Sequence, residues 1–268
     1  MHKLLPDIMP GYKAGAQFDA AECIYKIFEA IESLQHFQGS FFVKTKCQNQ
    51  GCGSTLIRED PFSILNIPDE ILTGKDIDVQ TAIVRHTSMT EIMSEYCCGK
   101  CCKDKEYIRS AQVSHSISMN CATSPLIISL GIFDSSSRPF RKFRDPLNDL
   151  FAQSNNRKII LNEQTYELKA VICHSGQSIL QGHYVIYQHY TQQGKAKWLK
   201  YDDSCVSYFE DYESLPSGET PYVLLYMPLP KDQMNFQLSN VILGTNMKSN
   251  IPPVLSMQIF SLSLFTLY

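Results

Sequence analysis

A histidine and an aspartate occupy the two strands of a predicted β-hairpin. Strands are predicted at 183–190 and 197–201 from their content of Val, Ile and aromatic residues, and the residues between them suit a tight turn. Pairing across this turn brings His183 opposite the segment that begins with Asp202, although nineteen positions separate the two residues. The sequence therefore predicts a His–Asp contact at the open end of the hairpin.

Such a pair has a defined use in catalysis. The carboxylate fixes the tautomer of the imidazole by accepting from one ring nitrogen, and the other nitrogen can then take a proton from a thiol or a hydroxyl. A free thiol ionises near pH ~8.5, so a neighbouring His–Asp pair supplies thiolate at neutral pH. The alternative is a solvated cross-strand ion pair without a catalytic role.

Six of the ten cysteines fall in two short clusters, Cys47/Cys52 and Cys97/Cys98/Cys101/Cys102. Each cluster can place two thiolates on a tight knuckle, and four thiolates at tetrahedral positions make a structural zinc site. Cys97 or Cys102 could replace a ligand in the second cluster, and a set of unliganded thiols is the alternative to a metal site. The predicted ligands of Zn²⁺ are Cys47, Cys52, Cys98 and Cys101.

The elements around these residues predict an α+β fold. Apolar residues at helical spacing predict an amphipathic helix over 17–37, and Ser63–Ile67 and Ile77–Val84 are candidates for strands or short helices. The nearly continuous apolar run 124–133 is typical of a strand that is buried on both faces. Further strands, which would complete an antiparallel sheet, are predicted at 166–175, 183–190, 197–201, 205–209 and 222–227.

Composition narrows the class of protein. A net charge of -3 and a pI near 6.2 argue against a nucleic-acid binder, including a zinc ribbon that binds nucleic acid. No export signal is recognisable at the N-terminus, so clustered cysteines favour metal binding and a cytoplasmic or nuclear location. The uncharged run 251–268 opens with two prolines and is too polar for a membrane span, so residues 231–268 are predicted to be a disordered tail.

Three segments resemble ubiquitin-specific proteases, the cysteine deubiquitinases. They are Gly182-His183-Tyr184, the aromatic-rich stretch 198–206 that contains Asp202-Asp203, and the closing strand 222–226. The resemblance implies a papain-like fold with a helical thumb, zinc-ribbon fingers and an antiparallel-sheet palm. It also implies that His183 is the general base, that Asp202 orients it, and that Asp203 supports the oxyanion or a water molecule.

The resemblance extends to the first helix and to the residues around His183. Residues 17–22 fit the family's Gln-x-Asp-Ala-x-Glu helix, whose acidic residues hold the arginine-bearing C-terminal tail of ubiquitin. The alternative is an exposed acidic helix start that suits the helix dipole. The residues that the resemblance assigns to substrate binding are Gln17, Asp19, Glu22, Gly182 and Tyr184.

By the same resemblance the chain divides into a catalytic region and a tail. Residues 1–40 correspond to a remnant of the thumb, about 41–123 to the fingers and about 124–230 to the palm. One departure marks a divergent member, because Leu130-Gly131-Ile132-Phe133 stands where most members have Leu-Lys-Arg-Phe.

The family's nucleophile lies in an Asn-x-Gly-x-x-Cys box ahead of the acidic helix, and here no cysteine precedes Gln17. Cys23 and Cys173 are better explained as core residues, and Cys205 does not occupy the nucleophile's place. We therefore expect a truncated domain of a thiol-dependent ubiquitin hydrolase that lacks its nucleophile. The alternative is an inactive pseudo-protease that binds ubiquitin or ubiquitinated proteins, and neither nucleic acid nor a membrane is an expected partner.

Overall fold

The computed structural model describes residues 18–31, 34, 38–72, 77–88, 90–102, 109–119, 124–133, 142, 154–178, 181–192, 195–209 and 215–230. Gln17 and the predicted tail 231–268 lie outside the described residues, so the expectations for them stay predictions. No helix in the described part of the chain is long and apolar enough to cross a membrane.

The first helix, α1, spans Ala20–Ala30 and is shorter than the predicted 17–37. It begins where the Asp19 carboxylate accepts from the backbone N–H of Glu22 at 2.9 Å, which is an N-cap. It ends at Ile31, whose extended backbone (φ −109°, ψ 100°) is not helical. The apolar spacing continued past this end because Leu34 packs in the same core from outside the helix. The predicted extent was therefore wrong, and the predicted apolar face is confirmed for Ile24, Ile27 and Phe28.

The remaining helices are short. The segment 77–84, which the sequence left open between strand and helix, begins α2 (Val79–Ser88). The Asp78 carboxylate caps this helix by accepting from the backbone N–H of Thr81 at 2.6 Å. A single turn, α3, spans Ser154–Arg157, and a 3₁₀ turn spans Asp69–Leu72.

The strands of the described chain, in order, are β1 (Gly39–Cys47), β2 (Thr55–Phe62), β3 (Leu65–Ile67), β4 (Thr90–Tyr96), β5 (Arg109–Met119), β6 (Leu126–Leu130), β7 (Lys158–Leu161), β8 (Gln164–Ser178), β9 (Gln181–Gln192), β10 (Lys195–Asp202), β11 (Cys205–Phe209) and β12 (Glu219–Pro228). Four of them form an antiparallel sheet in the order β2-β1-β5-β4. This smaller sheet lies within the segment that the resemblance assigns to the fingers.

The larger sheet has eight strands in the order β11-β10-β9-β8-β12-β6-β3, and β7 pairs with β8. All strands predicted in the second half of the chain are confirmed, and their pairings are antiparallel. One pairing was not predicted, because β3 joins β6 in parallel. Every residue of β6 is buried, as expected for a strand that is covered on both faces.

The larger sheet carries a hydrophobic core on each face. Alternate residues of β8 point to opposite sides, so Ala170 and Ile172 pack against α1 while Val171 and Cys173 join the core that includes α2. Cys23 is also buried, as predicted, with 3% of its surface exposed. The end of this two-faced sheet where β9 begins and β10 ends positions the candidate site.

Candidate active site and metal centre

The predicted contact between His183 and Asp202 is present. The register of β9 and β10 pairs Gln192 with Lys195 and continues to Ile186 with Tyr201. Continued one step, this register sets Asp202 diagonal to His183 on one face of the sheet. The Nε2 atom of His183 lies 2.7 Å from Oδ1 of Asp202, and both side chains are partly exposed.

This geometry separates the roles of the two ring nitrogens. Nε2 donates to the carboxylate, so Nδ1 is the nitrogen that carries the lone pair and can accept a proton. The hydrogen bond from His183 lowers the pKa of Asp202, so the carboxylate stays ionised at neutral pH. The adjacent Asp203 is exposed in the turn after β10, with a left-handed backbone (φ 51°). Its carboxylate lies within 4.8 Å of the other two groups.

A second histidine, which the sequence analysis did not single out, lies behind this pair. His174 is 3% exposed on β8, and its ring meets Phe133 and Tyr184 edge-on at centroid distances of 5.4 and 5.3 Å. Within the described part of the chain its Nδ1 has no hydrogen-bond partner, and burial lowers the pKa of His174 to about 4. A side chain at Gly182 would collide with this ring, since a Cβ there would lie 2.0 Å from Nε2 of His174. Gly182 thus has a packing role besides the predicted role in substrate binding.

Lys142 joins the backbone segments beside the site. Its ammonium donates to three carbonyl oxygens, those of His174 at 2.6 Å, Gly176 at 3.0 Å and Gly218 at 2.9 Å. It thereby connects the end of β8 to the turn before β12. This contact could not be predicted, because Lys142 lies outside any periodic segment and its partners are distant in the chain.

The acidic start of α1, which the resemblance assigns to substrate binding, also makes bonds within the fold. Besides capping the helix, Asp19 accepts from the Tyr222 hydroxyl at 2.7 Å through Oδ2. Tyr222 in turn stacks on Tyr184 at 6.1 Å. The Asp19 carboxylate is thus bonded within the fold, whereas Glu22 is exposed. Glu22 borders a cleft of about 340 Å³ between α1 and the segment from Pro61 to Asn66.

Four cysteines converge at the end of the smaller sheet. The sulfur atoms of Cys47 and Cys101 lie 3.7 Å apart, and so do those of Cys52 and Cys98. All four sulfur atoms lie within 4.8 Å of one another and could hold a metal ion. Backbone N–H groups of Lys100 and Cys101 lower the pKa of Cys98, which favours the thiolate that a metal requires. The group contains neither Cys97 nor Cys102.

The sequence model of the ubiquitin carboxyl-terminal hydrolase family matches residues 1–226. The chain belongs to this family. The match includes the His183–Asp202 pair, the cysteine group and α1. No curated protein sequence matches the chain.

The fold agrees with this membership. The chain is similar to the solved structure of the SAGA DUB module Ubp8/Sgf11/Sus1/Sgf73 bound to monoubiquitin, with 23% identity and a TM-score of 0.58. The similarity covers 84% of this chain and 52% of that one, so the chain spans about half the length of the solved relative. The expected α+β fold of the ubiquitin-specific protease type is confirmed, with its sheet-bearing palm and cysteine-bearing fingers.

Proposed function

We propose that this chain carries the general base of a thiol-dependent ubiquitin hydrolase. His183 takes the proton of the attacking thiol at Nδ1 and returns it to the leaving amine of the isopeptide bond, while Asp202 holds the ring through Nε2. Asp203 supports the oxyanion or a water molecule. The observation that carries the proposal is the 2.7 Å contact of His183 with Asp202 within the segment that matches the family.

The proposal assigns the nucleophile to none of the cysteines considered as candidates. Cys23 and Cys173 are buried in the fold, and burial raises the pKa of Cys23 to about 12. Cys205 is exposed and pairs with Asp202 across the turn from β10 to β11. The second candidate function is that of an inactive ubiquitin-binding protein. It is favoured because none of these three cysteines suits the role of the nucleophile, and it would use the same binding surfaces as the hydrolase.

A reporter thiol tests the base directly. Ser175 pairs with His183 across β8 and β9, so Ser175→Cys places a thiol beside the imidazole. If His183 removes the thiol proton, alkylation of this thiol by iodoacetamide at pH 7 should be about tenfold faster than with His183→Gln added. Mass spectrometry of the peptide gives the rate, and exposed Cys97, which follows β4 of the smaller sheet, is the internal control. Equal rates with and without His183 would contradict the base assignment.

We further propose that Cys47, Cys52, Cys98 and Cys101 hold a structural Zn²⁺. A donor set of four thiolates suits zinc, and the ion would connect β1 to the turn after β4. Elemental analysis should find one bound zinc per chain, lost in Cys98→Ser. Cys97→Ser, one position away and outside the group, should retain the metal. Loss of zinc from both variants would show that a different set of thiols binds the ion.

The proposed partner is ubiquitin, held by the fingers and by the exposed Glu22. A carboxylate at this position suits the arginines of ubiquitin's C-terminal tail. Glu22→Gln should weaken ubiquitin binding by about tenfold, as expected for a lost charge-assisted hydrogen bond. Glu29→Gln, on the same helix and paired with Lys26, is the matched control and should bind normally. Equal affinity of the two variants would exclude Glu22 from the interface.

The proposal includes a division of the chain and a compartment. The thumb remnant corresponds to residues 1–40, the fingers to about 41–123 and the palm to about 124–230. None of the nine described cysteines is in a disulfide, which suits a reducing compartment such as the cytoplasm or nucleus.

A further inference from the structure

Lys200 connects the candidate catalytic carboxylate to a second, buried carboxylate. It lies two residues before Asp202 on β10, so both side chains point to the same face of the sheet. Its Nζ lies 2.7 Å from Oε1 of Glu219 and 3.6 Å from Oδ2 of Asp202. Glu219 begins β12 and pairs with Ser175, which in turn pairs with His183. The lysine therefore reaches over the strands between β10 and β12 to this second acid.

The position of the ammonium is fixed by its surroundings. Glu219 is 7% exposed, and its other oxygen, Oε2, accepts from the hydroxyl of fully buried Tyr187 at 2.5 Å. The Lys200 side chain is 18% exposed, and its Nζ lies 5.8 Å from the centroid of the Tyr187 ring. A flexible surface lysine would lose most of the benefit of an ion pair to side-chain entropy and screening, but this one is held.

The two oxygens of Asp202 consequently face different partners. Oδ1 receives the hydrogen bond from His183, and Oδ2 faces the ammonium of Lys200. A carboxylate that is engaged on both sides has one preferred rotation. We propose that Lys200, anchored by Glu219, is a positioning residue that keeps Oδ1 of Asp202 on Nε2 of His183. This inference rests on the proposed role of His183 as the general base.

The charge of Glu219 has a part in this arrangement. An uncompensated cation so close to His183 would oppose the imidazolium that forms when the ring takes a proton. The Glu219 carboxylate cancels that charge locally, so Lys200 can orient Asp202 with little repulsion of the protonated ring. The unit of Lys200, Glu219 and Asp202 keeps the net charge of one carboxylate.

The tautomer of His183 is the readout, measured by nitrogen-15 NMR of the imidazole in the chain as it is. The unmodified chain should show predominantly the Nε2–H form. Lys200→Gln should lower the ratio of Nε2–H to Nδ1–H by about fivefold, the factor expected for loss of a partly exposed ion pair. Lys200→Arg should restore the ratio. Lys197→Gln, on the opposite face of β10, is the control and should change nothing.

A second variant covers the case in which Lys200→Gln does not fold. That change leaves Glu219 buried without its cation, whereas Lys200→Gln combined with Glu219→Gln leaves no buried orphan charge. The double variant should fold and show the same change in tautomer ratio. An unchanged ratio in either folded variant would overturn the inference. An Nε2–H form that is already a minority in the unmodified chain would instead contradict the proposed base, so the two failures are distinguishable.

Discussion

Substitution of Gly182 by alanine tests how closely the fold packs behind the candidate site. The new Cβ would lie 2.0 Å from Nε2, 2.6 Å from Cε1 and 2.9 Å from Cδ2 of His174, all shorter than real contacts of a Cβ atom. The ring cannot move aside easily, because it is 3% exposed and the rings of Phe133 and Tyr184 flank it. Its backbone is also paired on both sides, to Tyr184 and to Thr220. The fold must therefore strain or shift.

The expected loss of stability follows from this geometry. Overpacking of a buried site costs about 1–3 kcal/mol. At roughly 2–4 °C for each kcal/mol in a domain of this size, Gly182→Ala should lower the melting temperature by about 2–12 °C. Circular dichroism gives the melting temperature, and urea unfolding gives the free energy of unfolding. Gly99→Ala is the matched control, since no atom lies within 4 Å of a Cβ built there.

A double-mutant cycle separates the collision from other effects of the alanine. His174→Ala removes the ring, so Gly182→Ala in that background should cost less than about 0.5 kcal/mol. A melting temperature of Gly182→Ala equal to that of Gly99→Ala would contradict the predicted collision. So would a loss of stability on Gly182→Ala that is the same with and without the His174 ring.

Three further predictions concern the groups around the site. The fold lowers the pKa of His174 from 6.5 to about 4, so the unfolded chain binds the proton at a higher pH than the folded chain does. The free energy of unfolding should therefore fall by about 3 kcal/mol as the pH drops from 6.5 to 4. Urea titrations at pH 7 and pH 4 measure this loss, and His174→Phe should lack the part that is due to His174. Glu219→Gln should destabilise the fold by about 2 kcal/mol in urea unfolding, because it removes the nearer of the two carboxylates that pair with the largely buried Lys200 ammonium; an unchanged midpoint would contradict the ion pair. Asp19→Ala removes both the cap of α1 and the acceptor of the Tyr222 hydroxyl, so we expect a loss of about 2 kcal/mol in the same assay, against which Tyr222→Phe should lose less.

The contact between His183 and Asp202 could be predicted because its causes are local. Two strands rich in Val, Ile and aromatics with a short turn between them set the register, and the register sets which residues approach. The buried strand β6 and the grouping of four cysteines were predicted for similar reasons, since each depends on a continuous run or on a spacing that sequence displays.

The errors and omissions depend on contacts between distant parts of the chain. The helix prediction ran past Ile31 because Leu34 keeps the apolar spacing and packs in the same core, although α1 has already ended. Glu219, Lys142 and His174 carried no local signal, and their partners come from other strands. The hydrogen bond from Tyr222 to Asp19 also joins distant parts of the chain and was not predicted, and the assignment of Asp19 to the ubiquitin tail stays a prediction.

The central proposal is that His183 serves as the base for cleavage at the C-terminus of ubiquitin, which requires this tail to be directed at His183. The most direct measurement uses ubiquitin with a nitroxide spin label at its C-terminus, added to the nitrogen-15-labelled chain. We expect selective line broadening of the amides around His183 and Asp202, with little effect on β7, which pairs with the opposite end of β8. Uniform or absent broadening, or broadening centred on the edge strands of the smaller sheet, would contradict it.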